Sequence, residues 1–336
     1  MPRPTPRARD TPADAAMIAT RLTERFGLTA PIVSAPMAMV SGGRLAAAVT
    51  AAGGLGLIGG GYADPRFVED AFRDAGNAAV GVGFITWRLD GDDTALAEAL
   101  AHRPRAVMLS FGDPAPYAER IRAAGAALIC QVQTVAAARA VHAAGADVIV
   151  AQGTEAGGHG AARATMTLVP EVRDAVGAEP LLLAAGGIAD GRGLAAALAL
   201  GADGALVGTR FWASEEALSH PRHRAAALAT TGDGTVRQRA TDIARLFDWP
   251  AEFTARVLDN AFVRRWEGDP EGHRAVAARE AEAYAAAFRD GDPDNVGVFV
   301  GEAVGLIADA PPAAQILQRM VREAEAVISG LGQKRR

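Results

Sequence analysis

Eight short runs of β-branched and aliphatic residues recur through the first two thirds of the chain and leave few folds open to it. They are PIVSAPM (31–37), GLGLIGG (54–60), AVGVGFIT (79–86), AVMLSFG (106–112), ALICQVQ (127–133), DVIVAQG (147–153), PLLLAAGG (180–187) and GALVGTRF (204–211). The runs are nearly continuous rather than alternating, as in parallel strands covered on both faces. Alanine-rich segments such as TVAAARAVHAAGA and GRGLAAALALGA lie between them, and their composition favours helix. Gly53, Gly76, Gly125, Gly145 and Gly201 close these segments, where a left-handed C′ residue carries no Cβ penalty. AAGADVIVAQG (143–153) echoes ALGADGALVGT (199–209), the mark of a repeated βα unit. Eight such units predict an α/β chain closed into a (β/α)8 TIM barrel. A doubly wound open sheet is the second choice. It uses fewer strands, and its fingerprint needs GxGxxG after the first strand, where this chain reads APMAMVSGG.

Past Phe211 the texture changes. The chain becomes rich in Arg, Glu and Ala and poor in strand-like runs, with breaks at TTGDGT, DWP, EGDPEG and DGDPDN. The expected organisation is a barrel over 20–212, a small all-helical inserted domain over 213–292, and a C-terminal stretch over 293–332 that returns to pack on the barrel. A length of 336 residues accommodates one large domain and such an addition.

Composition removes several classes of function. Lys+Arg 34 against Asp+Glu 39 gives a formal net charge of -5, which argues against nucleic acid as a partner. The single cysteine, Cys130, can form neither an intramolecular disulfide nor a multi-cysteine metal site, and points to a reducing compartment. The N-terminal MPRPTPRARDTPADAAM lacks a signal-peptide core, and every apolar run is interrupted well before the length of a spanning helix, so a cytoplasmic protein without a membrane segment is expected. The only lysine is Lys334, in the terminal GQKRR. Schiff-base, pyridoxal-phosphate and P-loop chemistries all require a lysine held in a site, and are set aside.

In a barrel of this kind, chemistry sits at the C-terminal ends of the strands, and phosphate commonly binds the loops after strands seven and eight. AAGGIADGRG (184–193) follows the seventh run, with Gly186 and Gly187 allowing close backbone approach. LVGTRF (206–211) carries Gly208, Thr209 and Arg210 as donors to a phosphate. After the sixth run comes QGTEAGGHG (152–160), in which Gly157, Gly158 and Gly160 leave room for a flat ligand against bare backbone, with His159 at its edge as base or donor. His102, His142, His220, His223 and His273 fall in helix-like or charged stretches, where solvated surface is the default. His220 and His223 gather no further metal ligands, and no metal site is expected.

APM at the first strand, QGTEAGGHG after the sixth, AAGGIADGRG after the seventh and GTRF at the eighth together resemble the nitronate monooxygenase family, formerly 2-nitropropane dioxygenases. The similarity runs from about residue 20 to the end, including GDPDNVGVFVGEAVGLI. The resemblance implies FMN bound non-covalently and oxidation of alkyl nitronates by oxygen. It implies that Ala35, Pro36 and Met37 run along the flavin, and that Gln131 and Gln152 reach its polar atoms. Gly157 and Gly187, with Gly158 and Gly186 beside them, and Leu206, Val207, Gly208 and Thr209 would line the phosphate, and His159 would be the catalytic histidine. One departure stands out: where many relatives carry asparagine in a GVN pattern, this chain has Gly83 in GVGFITW, which leaves Thr86 or Trp87 to substitute.

Sister groups on the same barrel, flavin-dependent enoyl-acyl carrier protein reductases and NADH:quinone reductases, use reduced nicotinamide and form the main alternative. A flavin-free lyase or isomerase for a phosphorylated substrate and a flavin-binding scaffold without turnover are further alternatives, because fold alone does not choose a chemistry. Phe84, Trp87, Phe111 and Trp212 are candidates for an apolar substrate pocket or for plain packing. Oligomeric state is open, a homodimer included.

Overall fold

The computed structural model describes residues 18–333. Its strands, in chain order, are β1 (Ile32–Ser34), β2 (Leu57–Gly61), β3 (Gly81–Ile85), β4 (Ala106–Ser110), β5 (Ala127–Val132), β6 (Val148–Gln152), β7 (Gly158–Gly160), β8 (Leu181–Ala185), β9 (Gly204–Val207), β10 (Thr235–Gln238) and β11 (Thr254–Leu258). Each of the eight apolar runs becomes one strand of a single parallel sheet, ordered β1-β9-β8-β6-β5-β4-β3-β2. The ends of that sheet meet: Leu55, just ahead of β2, donates to Ile32 and accepts from Ser34, both at 3.0 Å. The result is the (β/α)8 barrel that the alternation predicts. The five glycines expected at C′ positions all have positive φ, from 60 to 101°.

Period-two geometry sorts each strand's side chains into two cores. Val33, Leu57, Met108, Ile129, Val150, Leu183 and Leu206 fill the barrel interior, and Leu22 and Phe26 of the short helix Arg21–Phe26 join them. That helix is held by a capping box at Thr20, whose hydroxyl accepts from Thr23 while Thr23 answers on the Thr20 amide. Residues of opposite parity, such as Ile32, Ile58, Val82, Leu128, Ile149, Leu182 and Val207, pack outward under the helices. The long helix Ala313–Gln333 lies against Gly191–Ala199, burying Ile316, Leu317, Met320, Val321 and Ala324. Among the described residues no helix is long and apolar enough to cross a membrane. Lys334 and MPRPTPRARDTPADAAM lie outside the described residues.

The expectation of an all-helical segment over 213–292 needs correction. Helices Pro221–Leu228 and Pro270–Arg289 are present, but β10 and β11 also lie in it and form an antiparallel sheet with β7, in the order β10-β11-β7. These strands are short and carry Arg237 and Arg256 within them, so their composition hides them. The sheet matters for the site because its third strand is the glycine-histidine stretch after β6.

Candidate active site

At the C-terminal mouth of the barrel lies a cavity of about 1090 Å³, walled by barrel-strand ends on one side and by residues 244–249 and 281–303 on the other. Ala35, Pro36, Met37, Gly83, Gln131, Gln152, Gly157, Gly158, Gly186, Gly187, Leu206, Gly208, Thr209 and His159 all line it. Phe84, Phe111 and Trp212 line it as well. Met39 and Phe111, both on its wall, hold left-handed φ values of 62° and 64°, a conformation that costs free energy for residues with a side chain and that gathers at functional sites.

His159 is the most constrained group in the cavity. It sits on β7 opposite Ala255 of β11, and its side chain is only 7% exposed. Nε2 meets both carboxylate oxygens of Asp242, at 2.9 and 3.0 Å, and Asp242 is itself 2% exposed. Trp249 stacks on the imidazole with centroids 3.4 Å apart and planes at 6°, while Phe111 meets it edge-on. Burial lowers the pKa of His159; the hydrogen bond and charge of Asp242 oppose that, and Arg245 and Arg237 add to the lowering. The net direction favours the neutral imidazole. With the Nε2 proton donated to Asp242, Nδ1 keeps its lone pair, and it meets no hydrogen-bond partner among the described residues. Such a ring can accept a proton, and the carboxylate behind it stabilises the imidazolium that results.

Two of the glycines around His159 line the cavity and also answer a packing need. A Cβ on Gly157 would fall 2.6 Å from the Gly301 amide nitrogen and the Val300 carbonyl carbon, so bareness there lets the chain at 300–301 pass close by. Gly158 adopts φ 73°, which turns the chain into β7. Two arginines then pin the loop. Arg237 donates to the carbonyl and hydroxyl of Thr154, and Arg256 donates to the same carbonyl while pairing with Glu302 at 2.8 Å. Burial, followed by the neighbouring Arg256, lowers the pKa of Arg237 to about 10.

Several expected roles change. Val207 does not line the cavity; strand parity turns its side chain into the outer core, and its carbonyl accepts from Ala35 at 2.9 Å. Arg210 also points away. It is buried and donates to the carbonyl and carboxylate of Asp309 at 3.0 and 2.9 Å, beside a separate cavity of about 440 Å³. Gln152 is committed at both ends, accepting from Gln133 at 2.9 Å and donating to the His159 carbonyl at 3.0 Å, so it braces β7. Gln131 has no such engagement among the described residues. Trp87 and Thr86 lie behind the wall, with Trp87 edge-on to Trp249 at 5.4 Å. Surface placement fails for His223 and His273, which are 4% and 1% exposed; His273 stacks on Trp266. No cluster of three or more metal-ligating side chains occurs among the described residues.

The strand-end glycines form a cradle. The amides of Gly187, Gly208 and Thr209 take no main-chain acceptor among the described residues, and an added Cβ at Gly208 would stand between Ala35 and the Met37 sulfur at 3.6 and 3.9 Å. The nearby Glu155 carboxylate is turned to the amide and hydroxyl of Thr165. Free donors and a bare wall suit a planar ligand with an anionic tail.

Asp242, Arg245 and Trp249 were not singled out from the sequence. They lie in TDIARLFDWP, within the segment expected to be only a helical addition, and no local spacing links them to His159.

Comparison with known proteins gives a consistent set of likenesses. A family model described as nitronate monooxygenase matches residues 19–81 and 76–323. Nitronate monooxygenase npaC of Metarhizium robertsii is 37% identical over 337 residues, covering 89% of this chain and 92% of that protein. Among solved structures, FabK from Thermotoga maritima superposes with a TM-score of 0.83 at 31% identity, over 95% of this chain and all of that one. Nitroalkane oxidase from Streptomyces ansochromogenes gives 0.79 at 30% identity, over 92% and 99%.

Proposed function

The chain belongs to the nitronate monooxygenase family, and on that premise we propose that it is an FMN-dependent oxidoreductase that oxidises alkyl nitronates with molecular oxygen. The observation that carries this reading is the pairing of one buried, carboxylate-backed histidine with an uncommitted set of main-chain donors at the mouth of one barrel.

FMN fits the residues present. Its phosphate would take the free amides at Gly187, Gly208 and Thr209, its ring would lie along Ala35, Pro36 and Met37, and Gln131 would offer an uncommitted amide to its polar edge. When bound, FMN supplies the redox chemistry, and the protein supplies position and electrostatics. In this reading Gln152 and the two loop arginines hold β7 in place. Trp249 and Phe111 keep water from the imidazole. With a neutral nitroalkane bound, Nδ1 of His159 would accept the acidic proton of the carbon bearing the nitro group and leave the nitronate; a nitronate that arrives already deprotonated needs no such transfer, and the protonated ring donates to one of its oxygens. A reducing, cytoplasmic setting belongs to the same reading, and Cys130, buried on β5, would stay a free thiol there.

Purified protein reconstituted with FMN should be yellow and should consume oxygen when propyl-1-nitronate is added. Failure to retain FMN would count against the cofactor; a yellow protein inert to nitronate would count against the substrate.

A further inference from the structure

Arg245 lines the same cavity, forms no salt bridge among the described residues, and has the Tyr62 hydroxyl as its polar neighbour. Its guanidinium carbon lies 4.6 Å from the ring centre of Phe247, 4.9 Å from Tyr62 and 5.5 Å from Phe299. Tyr62 and Phe247 are themselves stacked, 4.3 Å apart, so the rings form a fixed wall. Aromatic faces attract the cation and set its orientation, and with five N–H donors on a guanidinium the Tyr62 hydroxyl leaves most of them unspent. A half-buried cation with unspent donors is incomplete until an anion joins it. Asp242, three residues back, forms no ion pair with it among the described residues and is turned to His159. Arg245 is also near enough for its charge to act on His159.

We infer that Arg245 is the anchor for the anionic oxygens of the substrate, a positioning residue that pairs its guanidinium with the two nitronate oxygens. This inference rests on the nitronate reading. A nitronate spreads one negative charge over two oxygens in one plane, as a carboxylate does, and a guanidinium matches that geometry with two parallel N–H donors. Lysine, a point charge on a flexible stem, would reproduce the charge without the fork. Small branched carboxylates of the same outline should therefore occupy the site.

The test uses the FMN-loaded protein and isobutyrate, titrated by calorimetry and scored as a competitive inhibitor of propyl-2-nitronate oxidation. The expected result is one-to-one binding that competes with nitronate, weakened about tenfold or more in Arg245→Met and partly kept in Arg245→Lys. KM for nitronate should rise in parallel, with flavin content unchanged. If wild-type protein oxidises nitronate but isobutyrate does not bind it, or binds Arg245→Met equally well, the anchor is overturned while the proposed reaction stands. If wild-type protein fails to oxidise nitronate, the proposed reaction falls first, and the calorimetric comparison still decides whether Arg245 holds an anion. Should Arg245→Met lose its fold, the wild-type competition and Arg245→Lys carry the same decision.

Discussion

Both carboxylate oxygens of Asp242 lie on Nε2 of His159, at 2.9 and 3.0 Å, across 83 residues of sequence. The pair joins the loop after β6 to a helix in the segment beyond the barrel, so the site is complete only when both parts of the chain are folded. If His159 accepts a proton during turnover, His159→Ala should lower kcat/KM by about 10²-fold or more. Asp242→Asn should bring a loss of about 10²-fold by removing the charge that stabilises the imidazolium. It should also lower the pKa of His159 further, because the bond and charge of Asp242 now raise it. The acid limb of the pH–rate profile should then move to lower pH even as the plateau falls. Steady-state kinetics across pH checks both effects.

His159, His223 and His273 all have pKa values lowered from 6.5, in each case chiefly by burial. As pH falls through about 6.5 the unfolded chain takes up protons that the native one does not, and stability is lost in that window. Thermal melts from pH 8 to 5.5 should show Tm dropping below about 6.5. His273→Phe should flatten the drop, since the Nδ1 of His273 is buried without a hydrogen-bond partner. A Tm that rises on acidification would contradict the assignment.

A Cβ at Gly83 would come within 2.3 Å of the Pro36 side chain, whereas one at Gly208 meets nothing nearer than 3.6 Å. Gly83→Asn should therefore destabilise the apoprotein by about 1–3 kcal/mol through overpacking. Gly208→Val should leave apoprotein stability nearly unchanged and weaken FMN by about tenfold, some 1.4 kcal/mol. Denaturant melts of the apoproteins and flavin titration separate the two cases. An unchanged flavin affinity in Gly208→Val would remove the cradle from the cofactor site.

Trp249 is 2% exposed and touches His159, Tyr62, Trp87, Phe111 and Phe253. Trp249→Ala should cost about 3–5 kcal/mol. Trp249→Phe should keep most of that stability while loosening the stack on the imidazole, so kcat should fall more than Tm does. Chemical denaturation alongside kinetics would show the split.

The barrel was legible because strands buried on both faces need continuous apolar runs, and glycine closes most of the helices that turn back to the sheet, Arg103 at φ 52° taking that place after Thr94–Ala101. His159 and the bare loops at 186–187 and 208 were legible for the same reason: they sit where such a strand ends. Val207 and Arg210 were misread because a motif quoted as a string does not show parity; successive side chains on β9 face opposite ways, and Arg210 follows the turn toward Asp309. Asp242, Arg245 and Trp249 were invisible because their role arises from tertiary contact alone. β10 and β11 were missed because they are short and an arginine interrupts each apolar run, yet Arg237 and Arg256 spend their donors within the fold on Thr154 and Glu302.

The most direct test of the central claim is to mix the FMN-loaded protein, without oxygen, with propyl-1-nitronate and, separately, with NADH, while following visible absorbance. The account predicts that nitronate bleaches or shifts the flavin band within the time of turnover and that NADH leaves it unchanged. Rapid bleaching by NADH with no response to nitronate would contradict it and make the protein a nicotinamide-dependent reductase.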